Sequence, residues 1–188
     1  MKKLLVMLHC KNSFVGDPIY RNTEEIAKLL AKKYNAEILA FNSILPYKEA
    51  YTWFEKVDGE IVSDSFVKSF DYAKSKISHY VEENGIKPEN IIIFGRSQGG
   101  FMAICLGIEL GVGKVVAMAA DIKAELVNAA KTEGCPEIIW IEAGKDKYIS
   151  AERRGSYKDL QKLGIAVDYR VSEDAEHSYF DLSIVDSI

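Results

Sequence analysis

A chain of 188 residues, 48% of them hydrophobic and 28% charged, has the size of one domain and enough apolar material for one packed core. Its formal net charge of -4, without a long run of either sign, leaves no footprint for nucleic acid or an anionic membrane surface. No apolar stretch approaches the roughly 20 residues of a membrane span, so a single domain over residues 1–188 with no integral membrane segment is expected.

Lys2 and Lys3 ahead of Leu4-Leu5-Val6-Met7-Leu8 have the outline of a secretory leader, but the run stops at His9-Cys10-Lys11. That is too short for a leader core followed by a cleavage site, and it reads instead as a buried first strand over Lys3–Leu8. An amphipathic helix follows, with a start signal at Asn22-Thr23-Glu24-Glu25 and Ile26, Leu29, Leu30 and Tyr34 on one face. Glu37–Phe41 reads as the second strand. The least regular stretch comes next, Asn42–Asp64, and long irregular segments in compact domains are usually functional or flexible.

A second long helix runs from Ser65 with Phe66, Phe70, Ala73, Ile77 and Tyr80 at helical spacing, until Asn84-Gly85 stops it and Pro88 follows. Ile91–Phe94 is the third strand, and a third helix begins just after Ser97 and ends near Gly111. Lys114–Ala119, Ile138–Glu142 and Val167–Val171 complete the strands, with helices at about 122–132 and 151–163. Each strand is a near-continuous apolar run, as in a parallel sheet covered on both faces. Strand–helix alternation from end to end therefore predicts an α/β fold of about six mainly parallel strands with helices on both faces. If the second strand lies outside the first, the order is 2-1-3-4-5-6, and ligands bind where that order reverses, between the first and third strands. Three cysteines, Cys10, Cys105 and Cys135, show no close pairing and suggest reduced thiols in a cytoplasmic protein.

The chemistry centres on Gly95-Arg96-Ser97-Gln98-Gly99, set between a strand and a helix. The bare Gly-x-Ser-x-Gly pattern arises by chance in roughly 5% of chains this long, and the strand–turn–helix context sharpens it into a nucleophile elbow. A sharp turn pushes the serine hydroxyl above the sheet edge, and glycines two residues either side admit close neighbouring backbone. The phosphate-binding glycine patterns are absent. A serine hydroxyl needs a base to take its proton. Of three histidines, His79 sits beside the apolar stripe of the second helix, as a surface residue would, and His9 closes the first strand, where a structural or oxyanion-loop role suits it. His177 is the sole histidine after Ser97, as the serine–acid–histidine order of elbow enzymes requires. Asp146 is the favoured acid and Asp121, directly after the fourth strand, its rival. The oxyanion donors expected are the Gln98 N–H and one from the loop after the first strand, Lys11 or else Cys10.

These residues resemble the small carboxylesterase/lysophospholipase group of α/β hydrolases, which includes acyl-protein thioesterases. The likeness rests on Leu8-His9, Ala50-Tyr51-Thr52-Trp53-Phe54-Glu55, Gly85-Ile86, Asn90–Gly100, Gly144–Asp146 and His177, with the serine region the specific part. The resemblance implies an α/β-hydrolase fold with no large lid, a Ser97-Asp146-His177 triad and no cofactor or metal. It implies hydrolysis of small carboxylic esters or thioesters through an acyl-enzyme. It departs from the group at Cys10, where glycine is usual after the histidine; at Arg96, often aromatic; and at Glu176, where glycine is common. Phe14, Val15, Trp53, Phe54, Tyr148 and Tyr179 are candidates for an acyl groove. Arg96, with Lys11, Lys145 and Lys147 on strand-end loops, suggests a local positive field favouring a carboxylate or phosphate on the substrate. The competing readings are a non-catalytic hydrolase-fold binding protein, and a dienelactone-hydrolase-like or peptidase-like acyl hydrolase. The sequence carries no signal for oligomeric state.

Overall fold

The computed structural model describes residues 2–127 and 134–188. Six strands, β1 (Lys3–Leu8), β2 (Ala36–Ala40), β7 (Ile91–Arg96), β8 (Lys114–Met118), β9 (Glu137–Ala143) and β10 (Val167–Ser172), form one sheet. Its spatial order is β2-β1-β7-β8-β9-β10 with every pairing parallel, the 2-1-3-4-5-6 order expected. Helix α2 (Ser63–Asn84) and helix α3 (Gln98–Leu110) cover one face, and α1 (Arg21–Tyr34) with the short α6 (Ile184–Ser187) covers the other.

The strands alternate between two cores, as the two-residue period of a strand dictates. Leu4, Val6, Leu8, Ile93, Val115 and Trp140 pack under α2 and α3, while Leu5, Met7, Phe94, Val116, Ile139 and Ile141 pack under α1. Both sides being apolar explains why these segments read as unbroken hydrophobic runs rather than alternating ones. Helices α1, α2 and α3 all end on a left-handed residue, Asn35, Gly85 and Gly111 respectively.

Three local expectations change. Asn42–Asp64 is not a loop: it holds two small antiparallel hairpins, β3 (Leu45–Tyr47) with β4 (Ala50–Thr52), and β5 (Lys56–Val57) with β6 (Glu60–Ile61). Asp58 and Gly59 turn the second with positive φ, as a tight two-residue hairpin loop requires. The helix expected at about 122–132 is a single 3-10 turn, Ala124–Leu126, in its described part, and residues 128–133 lie outside the described residues. The helix expected at 151–163 is two short pieces, α4 (Ala151–Arg154) and α5 (Tyr157–Lys162). Among the described residues no helix is long and apolar enough to cross a membrane, and no large lid covers the sheet's carboxyl edge.

Candidate active site

Ser97 stands between β7 and α3 with φ 56° and ψ -124°, a conformation that costs a non-glycine residue of the order of 1–3 kcal/mol. The surroundings hold it there. Its N–H donates to the Met118 carbonyl at 2.9 Å, and Gly99 lies so close to β1 that a Cβ would stand 2.4 Å from the Leu8 carbonyl oxygen. The elbow and the loop after β1 are therefore pressed together at the point where the strand order reverses.

His177 reaches Ser97 from the loop after β10. Its Nε2 lies 3.0 Å from Ser97 Oγ and its Nδ1 lies 2.7 Å from Asp146 Oδ2. Asp146 is buried, and its other oxygen accepts the Tyr148 and Ile149 N–H groups at 2.7 and 3.0 Å. Those two bonds point the carboxylate at the imidazole. Asp121 is elsewhere: it pairs with Arg153 and, at 3.7 Å, with Lys56. Of the two acids the sequence allowed, only Asp146 meets the histidine.

The acid and histidine loops are knitted together by backbone. Gly144 N–H donates to the Ser172 carbonyl and Lys145 N–H to the Ala175 carbonyl, both at 2.9 Å. This contact needs a glycine at 144, because a Cβ there would meet the Glu173 carbonyl oxygen at 2.5 Å. Arg154 ties the acid loop from below, donating to the carbonyls of Gly144, Asp146 and Ile149. On the histidine side, Asn22 accepts the Phe180 N–H at 3.0 Å and donates to the Phe180 carbonyl at 2.9 Å. Sequence reading took Asn22 for a helix start; α1 begins at Arg21, and this side chain clamps the histidine loop instead.

His9 sets the loop after β1. The Ser43 N–H donates to its Nε2 at 3.0 Å, which leaves Nδ1 as the protonated nitrogen, donating to the Cys10 carbonyl at 2.7 Å. Burial pushes its pKa down to about 4, so the ring is neutral near neutral pH. No described peptide bond is cis, so the Lys11 N–H points opposite to the Cys10 carbonyl that His9 holds. The Gln98 N–H, in the first turn of α3, has no intrahelical acceptor. Cys10, Lys11 and Gln98 all line the same cavity as Ser97 and His177, which has a volume of about 420 Å³.

Several expected substrate contacts are elsewhere. Trp53 and Phe54 are fully buried core residues. The indole N–H of Trp53 donates to the His9 carbonyl at 2.7 Å, its ring stacks on His9, and the Gln98 side chain binds both the Trp53 N–H and the Phe54 carbonyl. They brace the loop after β1 and the elbow and do not line the Ser97 cavity. Phe14 faces a separate small cleft with Met7 and Thr23, and Val15 and Tyr179 do not line the Ser97 cavity. Arg96 is also a correction. It is buried, its Nη1 donates to the Ser178 carbonyl at 2.8 Å, and Nε and Nη2 have no partner, so it supports the histidine loop from within. Tyr148 does line the cavity, 78% exposed, its ring 5.1 Å from that of His177. Of the four cations expected at the site, Lys11 alone lines it: Lys145 pairs with Asp174 at 2.7 Å and Lys147 is exposed. Lys48, Lys56 and Arg153 stand there instead, the first two carried by the hairpins. His79 is a surface residue near Glu83, as expected. The described residues hold no cluster suited to a metal ion, and Cys10 and Cys105 are buried thiols outside any disulfide.

No protein-family model matches the chain, and no curated protein sequence matches it either. Solved structures do. SOBER1 of Arabidopsis thaliana aligns with a TM-score of 0.73 at 18% identity, over 100% of this chain and 95% of its own. A carboxylesterase of Bacillus cereus aligns at 0.76 and 14%, over 99% and 85%. YahD, solved with malic acid, aligns at 0.75 and 16%, over 99% and 90%. The likeness at these identities is one of architecture, and with the parallel order and the elbow it gives the conclusion: this chain has the α/β-hydrolase fold.

Proposed function

We propose that the protein is a serine hydrolase that cleaves small carboxylic esters or thioesters through an acyl-enzyme. The observation that carries this reading is the continuous line Ser97 Oγ, His177, Asp146, at 3.0 and 2.7 Å, on a strained elbow that faces a cavity.

In this reading Ser97 Oγ attacks the carbonyl carbon while His177 Nε2 takes its proton. Asp146 stabilises the resulting imidazolium and keeps the ring in the tautomer that presents Nε2 to the serine. The oxyanion accepts hydrogen bonds from the Gln98 and Lys11 N–H groups, with Cys10 the alternative donor on the same loop; each donor is worth about 2.7–4 kcal/mol of barrier. His177 then returns the proton to the departing alkoxide or thiolate. Water, deprotonated by the same nitrogen, hydrolyses the acyl-serine and restores the enzyme.

The test is a panel of p-nitrophenyl esters and acyl thioesters of graded length, run on the wild type and on Ser97→Ala. The reading expects kcat to fall by more than about 10³-fold in the variant with the fold intact. Equal turnover by Ser97→Ala contradicts it. The ratio of thioester to ester rates assigns the preferred acyl link.

A further inference from the structure

The cavity in front of Ser97 is electrostatically unlike the rest of the molecule. Lys11, Lys48, Lys56 and Arg153 line it, and Asp121 is the one carboxylate among the lining residues. Asp121 is shared between Arg153 and Lys56. Lys11 and Lys48 lie over the same Tyr47 ring, at 4.6 and 5.7 Å from its centroid, and no carboxylate among the described residues pairs with either. The cavity thus holds three surplus positive charges in a protein whose net charge is -4.

Solvated surface lysines need no ligand to explain them, but Lys56 is not one. It is half-buried, and its pKa is pushed down to about 8, first by desolvation and then by Arg153, Lys11 and Lys123. Crowding cations into a partly dry cavity is unfavourable unless an anion joins them. The two hairpins carry Tyr47, Lys48 and Lys56 to this wall, and Lys48 turns the first of them with φ 54°, a conformation that glycine adopts more easily. The cavity is also a poor fit for a long acyl chain. At about 420 Å³ it is near the small end of ligand sites, and Ile149 is the one aliphatic side chain lining it.

From this arrangement we infer that the substrate is a short ester carrying a carboxylate or phosphate, which Lys11, Lys48, Lys56 and Arg153 hold while Ser97 attacks the carbonyl. This inference rests on the proposed Ser97 chemistry and names its substrate class. Focused positive potential raises the encounter rate of an anion, and salt screens it.

The experiment compares kcat/KM for para-acetoxybenzoate, para-acetoxyphenyl phosphate and the neutral para-acetoxybenzamide, each divided by its hydroxide-catalysed rate, at low and high salt. We expect one or both anions to be preferred by at least about tenfold at low salt, the lower end of what a focused field supplies, with the advantage shrinking at high salt. Whichever anion gives the larger ratio names the group. The anionic-to-neutral ratio should fall in Lys48→Met and Lys56→Met and rise in Asp121→Asn, a pattern that general damage to the pocket does not produce. Turnover of all three without preference, or a ratio indifferent to salt and to these substitutions, overturns the inference while leaving the hydrolase reading intact. Turnover of none by folded protein overturns both.

Discussion

His9→Phe separates the oxyanion loop from the rest of the machinery. The phenyl ring keeps the volume and the stack on Trp53, whose rings now lie 4.7 Å apart, but deletes both ring nitrogens. The Cys10 carbonyl loses the donor that fixes it at 2.7 Å and the Ser43 N–H loses its acceptor at 3.0 Å. Two buried polar groups left unpaired cost about 1–3 kcal/mol each, or roughly 2–6 kcal/mol of stability together. The Cys10–Lys11 peptide is then free to turn, and losing the Lys11 N–H from the oxyanion lowers kcat by about 10²–10³ with KM little changed. The same variant removes an acid-sensitive term. His9 has a folded pKa near 4 against 6.5 unfolded, so the unfolded chain binds the extra proton between those values. Wild-type stability should therefore decline as pH falls from about 6.5 to 4, by about 3 kcal/mol from this group, and the variant should lack that part of the slope. Ester turnover with denaturant unfolding at several pH values reads both effects. A destabilised variant with unchanged kcat refutes the claim that His9 aims the Lys11 N–H.

Gly144→Ala should lower kcat by about 10²-fold, because a Cβ 2.5 Å from the Glu173 carbonyl oxygen forces apart the loops carrying Asp146 and His177, and misplacement near 1 Å costs that much; steady-state kinetics beside a melting curve tests it. Glu142 is buried with both carboxylate oxygens unpartnered, its pKa raised to about 7 by burial and then by Asp146. An acid with a raised folded pKa destabilises the fold as pH climbs from 4.5 to about 7, so Glu142→Gln should gain stability relative to wild type at pH 8 and show little gain near pH 4; equal gains at both contradict it. With Lys56 near 8 among Arg153, Lys11, Lys123, Glu60 and Asp121, kcat/KM for an anionic ester should decline above about pH 8. The matched neutral ester should lack that limb.

Most of the sheet was readable from sequence because its inner strands are buried on both faces and so appear as unbroken runs, as Leu4–Leu8 and Ile91–Phe94 do. The meeting of Ser97 with His177 was readable because local context and chain order constrain both residues. What escaped depends on contacts between distant segments. Strands of two or three residues, β3 to β6, are too short to show a period. Trp53 and Phe54 looked like groove residues because an irregular stretch gives no sign of which apolar side chains turn inward. Proximity to strand ends suggested Lys145, Lys147 and Arg96 as the site's cations. The hairpins and α4 cross over to supply Lys48, Lys56 and Arg153, a placement that only the tertiary fold decides. Asn22 has a good local role as a cap and a different actual one, 158 residues away along the chain.

The central claim is that Ser97 is an activated nucleophile. Its most direct test is reaction of the folded protein with a fluorophosphonate probe, followed by mass mapping of the adduct. The account predicts one adduct per chain, on Ser97, formed far more slowly in Asp146→Asn. A folded protein that takes no adduct, or takes it on another residue, contradicts the account.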